Sequence, residues 1–196
     1  MSALLRLSRW IDALNEFIGR SVYWLILVAV LMSAGNAIVR KTLNYSSNAL
    51  LETQWYLFSA VFLLCAGYAL LRNEHVRIDV VAGRFSRLTQ TWIDILGTIF
   101  FLLPMALVFV YLSWPVFVRT WVHEEISGSA GGLAIWPARL LVPIGFSLLA
   151  LQGVSEIVKR IGFLRGVAPD PAAKLHNRSA EAELAEEIRR IAQGKP

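Results

Sequence analysis

The chain has 196 residues, of which 56% are hydrophobic and only 17% charged; its mean hydropathy is +0.55. A soluble domain carries about a quarter charged residues and cannot absorb this much apolar sequence, so the composition points to a membrane protein. The net charge of +5 comes without any nucleic-acid recognition element, and its basic residues collect at the ends of apolar runs, so nucleic acid is excluded as a partner.

The N-terminal stretch 1–20 places Leu4, Leu7, Ile11, Leu14 and Ile18 on one helical stripe, with Arg6, Arg9, Glu16 and Arg20 mostly opposite. This predicts an amphipathic helix lying on the membrane surface before the chain turns into its first span; an amphipathic helix packed on a partner protein fits equally. Three runs then lack any charged residue or histidine: Ser21–Val39, Thr53–Leu71 and Ile95–Val118. Each has the length, about 20 residues, that a spanning helix needs. A shorter run, Leu140–Ser155, extends to Trp136–Val158 if Arg139 and Glu156 snorkel to the two interfaces. Pro137 suits the first turn of that helix. The expected fold is therefore all-α and membrane-embedded: four helices over 21–39, 53–71, 95–118 and 136–158 within a domain of residues 21–162. The first span is read as retained rather than as a cleaved signal peptide, since both its leader and its apolar run are long.

Basic residues set the orientation. Arg6, Arg9, Arg20, Arg72, Arg77, Arg84, Arg87, Lys159, Arg160 and Arg165 fall on one side, against Arg40, Lys41, Arg119 and the boundary Arg139 on the other. The bias predicts cytoplasmic termini, with the 72–94 connection on the same side. Residues 163–196 form a cytoplasmic tail: a breaker-rich linker, then "SAEAELAEEIRRIAQGKP", whose thin stripe of Leu184, Ile188 and Ile191 fits either a solvated tail or a short docking helix.

Chemistry is sparse. Ser33 and Asn36 in span one, Ser59 in span two, Thr98 and Ser113 in span three, and Ser147 and Gln152 in span four form no cluster in the sequence. Ala29, Ser33 and Ala37 recur every four positions, a spacing that lets another helix approach. Pro104 is expected to free the carbonyl of Phe100 and bend span three. His75, His123 and His176 all lie outside the spans, which argues against a haem held between helices. No HExxH, Walker, GxSxG or Cys cluster is present, so no enzyme activity, metal or cofactor is expected. In "RNEHVRIDVV" (72–81), His75 and Asp79 stand at i, i+4 in a helical reading, but no further ligand group or nucleophile accompanies them. Interfacial use, with Arg72 and Arg77 toward lipid head groups, is the better reading.

Order and spacing go further than any one motif. "NAIVRKTLNYS" closes span one with Arg40. "ALLETQWYLFSAVFLLCAGYALLRNEHVRIDVV" carries Glu52, Gly67, His75, Val76 and Asp79. "HEEISGSAGGLAIWPARLLVPIGF" and "LQGVSEIVKRI" follow. The chain from about residue 20 to 162 resembles the small membrane subunit of tripartite ATP-independent periplasmic (TRAP) transporters, the DctQ family. It departs from the family in having Leu50 and Leu51 before a single Glu52, where members often carry a tryptophan and two acids. The resemblance implies a sodium-driven organic-acid uptake system, in which this subunit braces a large permease and adds to the surface where a periplasmic substrate-binding protein docks. Interfacial residues follow from it. Arg40 and Glu52 pair with each other or with the large subunit. His75, Arg77 and Asp79 tie the connection to the large subunit or to membrane phospholipids. Glu124 and Glu125 meet the binding protein. Two other readings stand beside it: the membrane anchor of a respiratory or redox complex, and a self-sufficient small transporter.

Overall fold

The fold is taken from a computed structural model, which describes residues 2–43, 47–73 and 86–169. Four helices make it up: α1 (Ser2–Leu43), α2 (Asn48–Leu71), α3 (Arg87–Val122) and α4 (Trp136–Leu164). All four are long and apolar enough to cross a membrane. Helices satisfy their own backbone polar groups, which is what hydrocarbon demands.

The helices alternate in direction, and their contacts keep a constant register. α1 runs antiparallel to α2, with Gly19 against the Tyr68 ring and Gln54 Nε2 donating to Ser33 Oγ at 3.1 Å. α3 runs antiparallel to α4, with Phe109 stacked on Phe146 (4.5 Å between centroids) and Trp121 edge-on to Trp136 (4.6 Å). α4 is the hub: it touches the other three helices, and more buried residues lie on it than on any other helix. α3 packs mainly on α4 alone, so the helices form a triangle of α1, α2 and α4 with α3 attached to its far side.

The α2–α4 crossing is close because of two glycines. A Cβ on Gly145 would stand 2.7 Å from the carbonyl oxygen of Leu63; one on Gly67 would overlap Asn15 Oδ1 and come within 3.2 Å of the Leu148 carbonyl. Small residues at such points let backbones approach where no hydrophobic driving force acts between helices.

α1 corrects the sequence reading. It is one unbroken helix, with no turn at Arg20–Ser21 where a surface helix was expected to give way to a span. Its inner face is Ser8, Ile11, Asn15, Gly19 and Val22, whereas Leu4, Leu7 and Leu14 of the expected apolar stripe are exposed. Of the small triad, Ala29 is buried and Ser33 takes the Gln54 bond, but Ala37 is exposed. Ahead of Pro104 lies a π-helical turn, Thr98–Leu102, in which the Leu103 amide donates to the Thr98 carbonyl five residues back. This change of register is how α3 accommodates a proline that cannot donate to Phe100.

Helix ends are closed by left-handed residues. Glu124 (φ 47°) follows α3, with its own amide bonded to the Trp121 carbonyl and that of Glu125 to Thr120. Gly166 (φ 69°) ends α4 with the same paired pattern to Phe163 and Gly162. Residues 74–85 and 170–196 lie outside the described residues, and with them His75, Arg77, Asp79 and the proposed tail helix.

Candidate functional site

Polar side chains gather at the two ends of the bundle. The basic end holds the start of α1, the start of α3 and the end of α4. The loop end holds the start of α2 and the segment between α3 and α4.

At the basic end, a polar stripe on α1 (Ser8, Asp12, Asn15) meets one on α4 (Gln152, Ser155, Glu156, Lys159, Arg160). Each repeats at helical spacing, so each set shares a face. Asn15 Nδ2 donates to Gln152 Oε1 (2.9 Å), and Gln152 Nε2 donates to Asp12 Oδ1 (2.9 Å) and Glu156 Oε1 (3.2 Å). Ser155 Oγ donates to Asp12 (2.7 Å) and lies 2.7 Å from Ser8 Oγ. Lys159 bridges Asp12 (3.0 Å) and Glu156 (2.5 Å), while Arg160 bridges Glu156 (2.6 Å) and Asp94 of α3 (3.2 Å). Gln152, Ser155, Glu156 and Arg160 are buried. Three helices are thereby joined by charge-assisted bonds in a place where water cannot compensate a missing partner. Nearby, Arg72 at the end of α2 pairs with Glu16, which also holds Arg20 at 2.8 Å.

The sequence reading missed this clamp. It treated Glu156 as a snorkelling charge and Gln152 as isolated; both are buried and bonded. The legible signal was polar recurrence, Ser8–Asp12–Asn15 and Gln152–Glu156–Lys159, on two helices of opposite direction.

At the loop end, Asn48, Glu52 and Tyr56 occupy successive turns of α2 and all face the segment 127–134. Asn48 donates to the Ala130 carbonyl (3.2 Å) and Tyr56 to that of Ala134 (3.1 Å). Glu52 accepts the Leu133 amide (2.8 Å) and the Ser127 hydroxyl. The segment itself folds back through an isolated antiparallel bridge, Ile126 to Ala134, with Gly131 at φ 73° turning its tip. Glu125 is neutralised by Arg139 (2.8 Å) and Arg119 (3.4 Å). Arg139 also donates to Thr120, so it too is tied within the chain rather than merely snorkelling.

Of the expected interface residues, Glu52 therefore holds the chain's own loop and does not pair with Arg40, which is exposed. Glu124 is exposed, and its left-handed backbone ends α3. Among the described residues no group of three or more His, Cys, Asp and Glu could hold a metal ion.

One comparison decides the family. The model of the DctQ component of tripartite ATP-independent periplasmic transporters matches residues 26–162. The chain belongs to the DctQ family. Neither a curated protein nor a solved structure matches it. The matched region takes in the second, smaller part of α1, all of α2 and α3, and α4 through its buried stripe. As a DctQ protein the chain is the small subunit of a TRAP transporter and a multi-pass membrane protein, in a family of transporter components rather than enzymes. Such a subunit works with a large permease and a substrate-binding protein. The redox-anchor alternative finds no support in the match.

The loop-end geometry makes a direct prediction for this DctQ chain. Glu52→Ala removes the acceptor for both Ser127 and Leu133. Hydrogen–deuterium exchange of the full chain in detergent is expected to show faster exchange at the Leu133 amide, with the middle of α4 unchanged. Unaltered exchange at Leu133 would show that Glu52 does not hold the loop.

Proposed function

We propose that this DctQ subunit is a brace that handles no solute, in a sodium-driven transporter taking up organic acids across the bacterial inner membrane. In this reading the basic end faces the cytoplasm and the loop end faces the periplasm, as the arginine bias favours. The observation that carries it is how the polar groups are used. Among the described residues, the ionisable groups between the helices bond to one another across α1, α3 and α4. A transport site needs polar groups turned toward a cavity and a solute. Here they are turned toward each other, and they lock helices together.

The braced loop 126–135, with Glu124 and Glu125 at its base, is the surface offered to the binding protein. Arg40 at the loop end, and His75, Arg77 and Asp79 in the connection after α2, are the residues proposed to meet the large permease or phospholipid. Substrate selection, which these residues do not serve, belongs to the other two proteins.

The test is co-expression with the large permease and the binding protein. The chain is expected to co-purify with the permease, and sodium-dependent uptake of an organic acid is expected to vanish when either membrane subunit is omitted. Uptake by the large permease alone, at the rate of the full set, would refute the reading. A haem band in the absorption spectrum of the purified complex would favour the redox alternative instead.

A further inference from the structure

Where α1 passes the end of α2, two arginines from the two helices share one carboxylate oxygen. Arg20 donates to Glu16 Oε1 from Nε (2.9 Å), and its Nη2 lies 2.8 Å from the same atom. Arg72 Nη2 donates to that oxygen from α2. Two positive charges and one negative leave the trio at net +1. Arg72 is also held by its own helix. Its Nε donates to the Tyr68 hydroxyl (3.2 Å), and its guanidinium carbon lies 5.3 Å from the centre of the Tyr68 ring. That ring rests directly on the backbone of α1, because residue 19 is a glycine: a Cβ there would stand 2.3 Å from Tyr68 Cγ.

A guanidinium has five N–H donors in a rigid fork. These contacts use no more than two on each arginine, so at least three remain on each, and among the described residues neither makes another ion pair. Both side chains reach the surface, at 70% and 38% exposed. Their depth decides what the spare donors meet. The uncharged run Ser21–Val39 begins on the residue after Arg20, and the uncharged run Thr53–Leu71 ends on the residue before Arg72. The pair therefore stands at the edge of the hydrocarbon, in the layer where lipid headgroups lie. Next to Arg20 on the same face of α1, one and two turns deeper, come Tyr23, Trp24 and Leu27, all exposed. A charged headgroup and its acyl chains find their counterparts on one continuous surface.

We infer that Arg20 and Arg72 form a binding site for one anionic phospholipid, whose phosphate bridges the two guanidiniums. Arginine pairs with phosphate oxygens through short, charge-assisted and often bidentate bonds. A lipid of net charge −1 cancels the +1 of the trio. Glu16 and Tyr68 are positioning residues: Glu16 draws the two guanidiniums together across the helix boundary, and Tyr68 fixes the plane of Arg72. The lipid ties the end of α2 to α1 at the membrane surface. The site lies on this chain alone and does not depend on the bracing role proposed above.

The experiment uses the full chain, stripped of lipid in a neutral detergent, with phosphatidylglycerol as the probe. Native mass spectrometry is expected to show one tightly held phosphatidylglycerol. The melting temperature is expected to rise on adding it, since a ligand of the folded state stabilises that state. Arg20→Gln with Arg72→Gln is expected to weaken binding by about tenfold or more, two charge-assisted contacts being lost. Arg6→Gln with Arg9→Gln removes the same charge from the same end of the chain and is expected to bind as the wild type does. An equal loss in that control reduces the effect to general attraction between a basic surface and an anionic lipid, and overturns the site. Tyr68→Phe keeps every charge and the ring on Gly19, and carries the test if the arginine pair proves necessary for folding. It is expected to weaken binding about threefold with the lipid-free melting temperature unchanged; unchanged binding overturns the arrangement of the site. Equally tight phosphatidylethanolamine overturns the choice of an anionic lipid, and displacement by inorganic phosphate overturns the choice of a lipid. A chain that retains no phosphatidylglycerol overturns the inference outright.

Discussion

Glu156→Ala is expected to lower the stability of the isolated chain by about 3 kcal/mol, at the lower end of the range for breaking a buried ion pair. Glu156 is buried on α4 and accepts from Gln152, Lys159 and Arg160. Its removal leaves the buried Arg160 and the partly exposed Lys159 each short of one partner. The loss is held to the lower end because Lys159 keeps Asp12 and Arg160 keeps Asp94. Charge balance, not side-chain volume, is the cause, and a double change separates the two. Glu156→Leu with Lys159→Met removes one charge of each sign and refills the space with apolar atoms. Replacing a buried pair in this way is often neutral, so the double variant is expected to recover part of the loss, the remainder being that of Asp12, which gives up its Lys159 pair. Unfolding midpoints in mixed detergent, measured on the wild type, both singles and the double, form the cycle. A single variant within about 0.5 kcal/mol of wild type, the usual band for surface substitutions, would mean that the clamp holds nothing.

Much of the fold was legible in the sequence, because the signal was a run of residues long enough to cross a bilayer. Ser21–Val39, Thr53–Leu71 and Ile95–Val118 each lie inside α1, α2 and α3, and the fourth helix begins at Trp136 with Pro137 in its first turn. The clamp was not legible for the same reason. A reading by uninterrupted apolar runs stops at the first charge, so Glu156 was assigned to an interface and Asp12 drew no notice. Asp12 is neutralised by Lys159, 147 positions away in the chain, a relation that composition and local spacing do not carry, whereas Glu156 pairs with Lys159 and Arg160 at i+3 and i+4, a spacing that was open to view. The N-terminal third of α1 shows the same inversion. In water the apolar stripe of an amphipathic helix packs inward. Here Leu4, Leu7 and Leu14 face outward, while Ser8 and Asn15 face α4. Glu52 was expected to pair with Arg40 or with the large subunit; its partners in the structure, the Leu133 amide and the Ser127 hydroxyl, come from a loop whose fold could not be read from local spacing.

Gly145→Ala is expected to destabilise the chain by about 3 kcal/mol, at the upper end of the usual cost of overpacking. The added methyl would sit 2.7 Å from the Leu63 carbonyl oxygen and 2.8 Å from its Cβ. The obstacle is the backbone of α2, so no rotamer change relieves it and α2 and α4 must move apart. Gly67→Ala differs in kind. Its methyl would overlap Asn15 Oδ1, the end of a side chain. That oxygen is buried without a hydrogen-bond partner, so displacing it breaks no bond it makes. Asn15→Ala should therefore rescue much of the Gly67→Ala loss, at the cost of the Asn15–Gln152 bond, about 1 kcal/mol. No single side-chain truncation should rescue Gly145→Ala. Gly35→Ala, made in open space on the exposed face of α1, should be neutral or stabilising by up to about 1 kcal/mol through helix propensity alone. The three glycines thus predict an ordered set of melting temperatures for the full chain in one detergent: Gly35→Ala highest, Gly67→Ala with Asn15→Ala intermediate, Gly145→Ala lowest. If Gly145→Ala melted with Gly35→Ala, α2 and α4 could not be in backbone contact, and the triangle of helices that carries the clamp would have to be drawn differently.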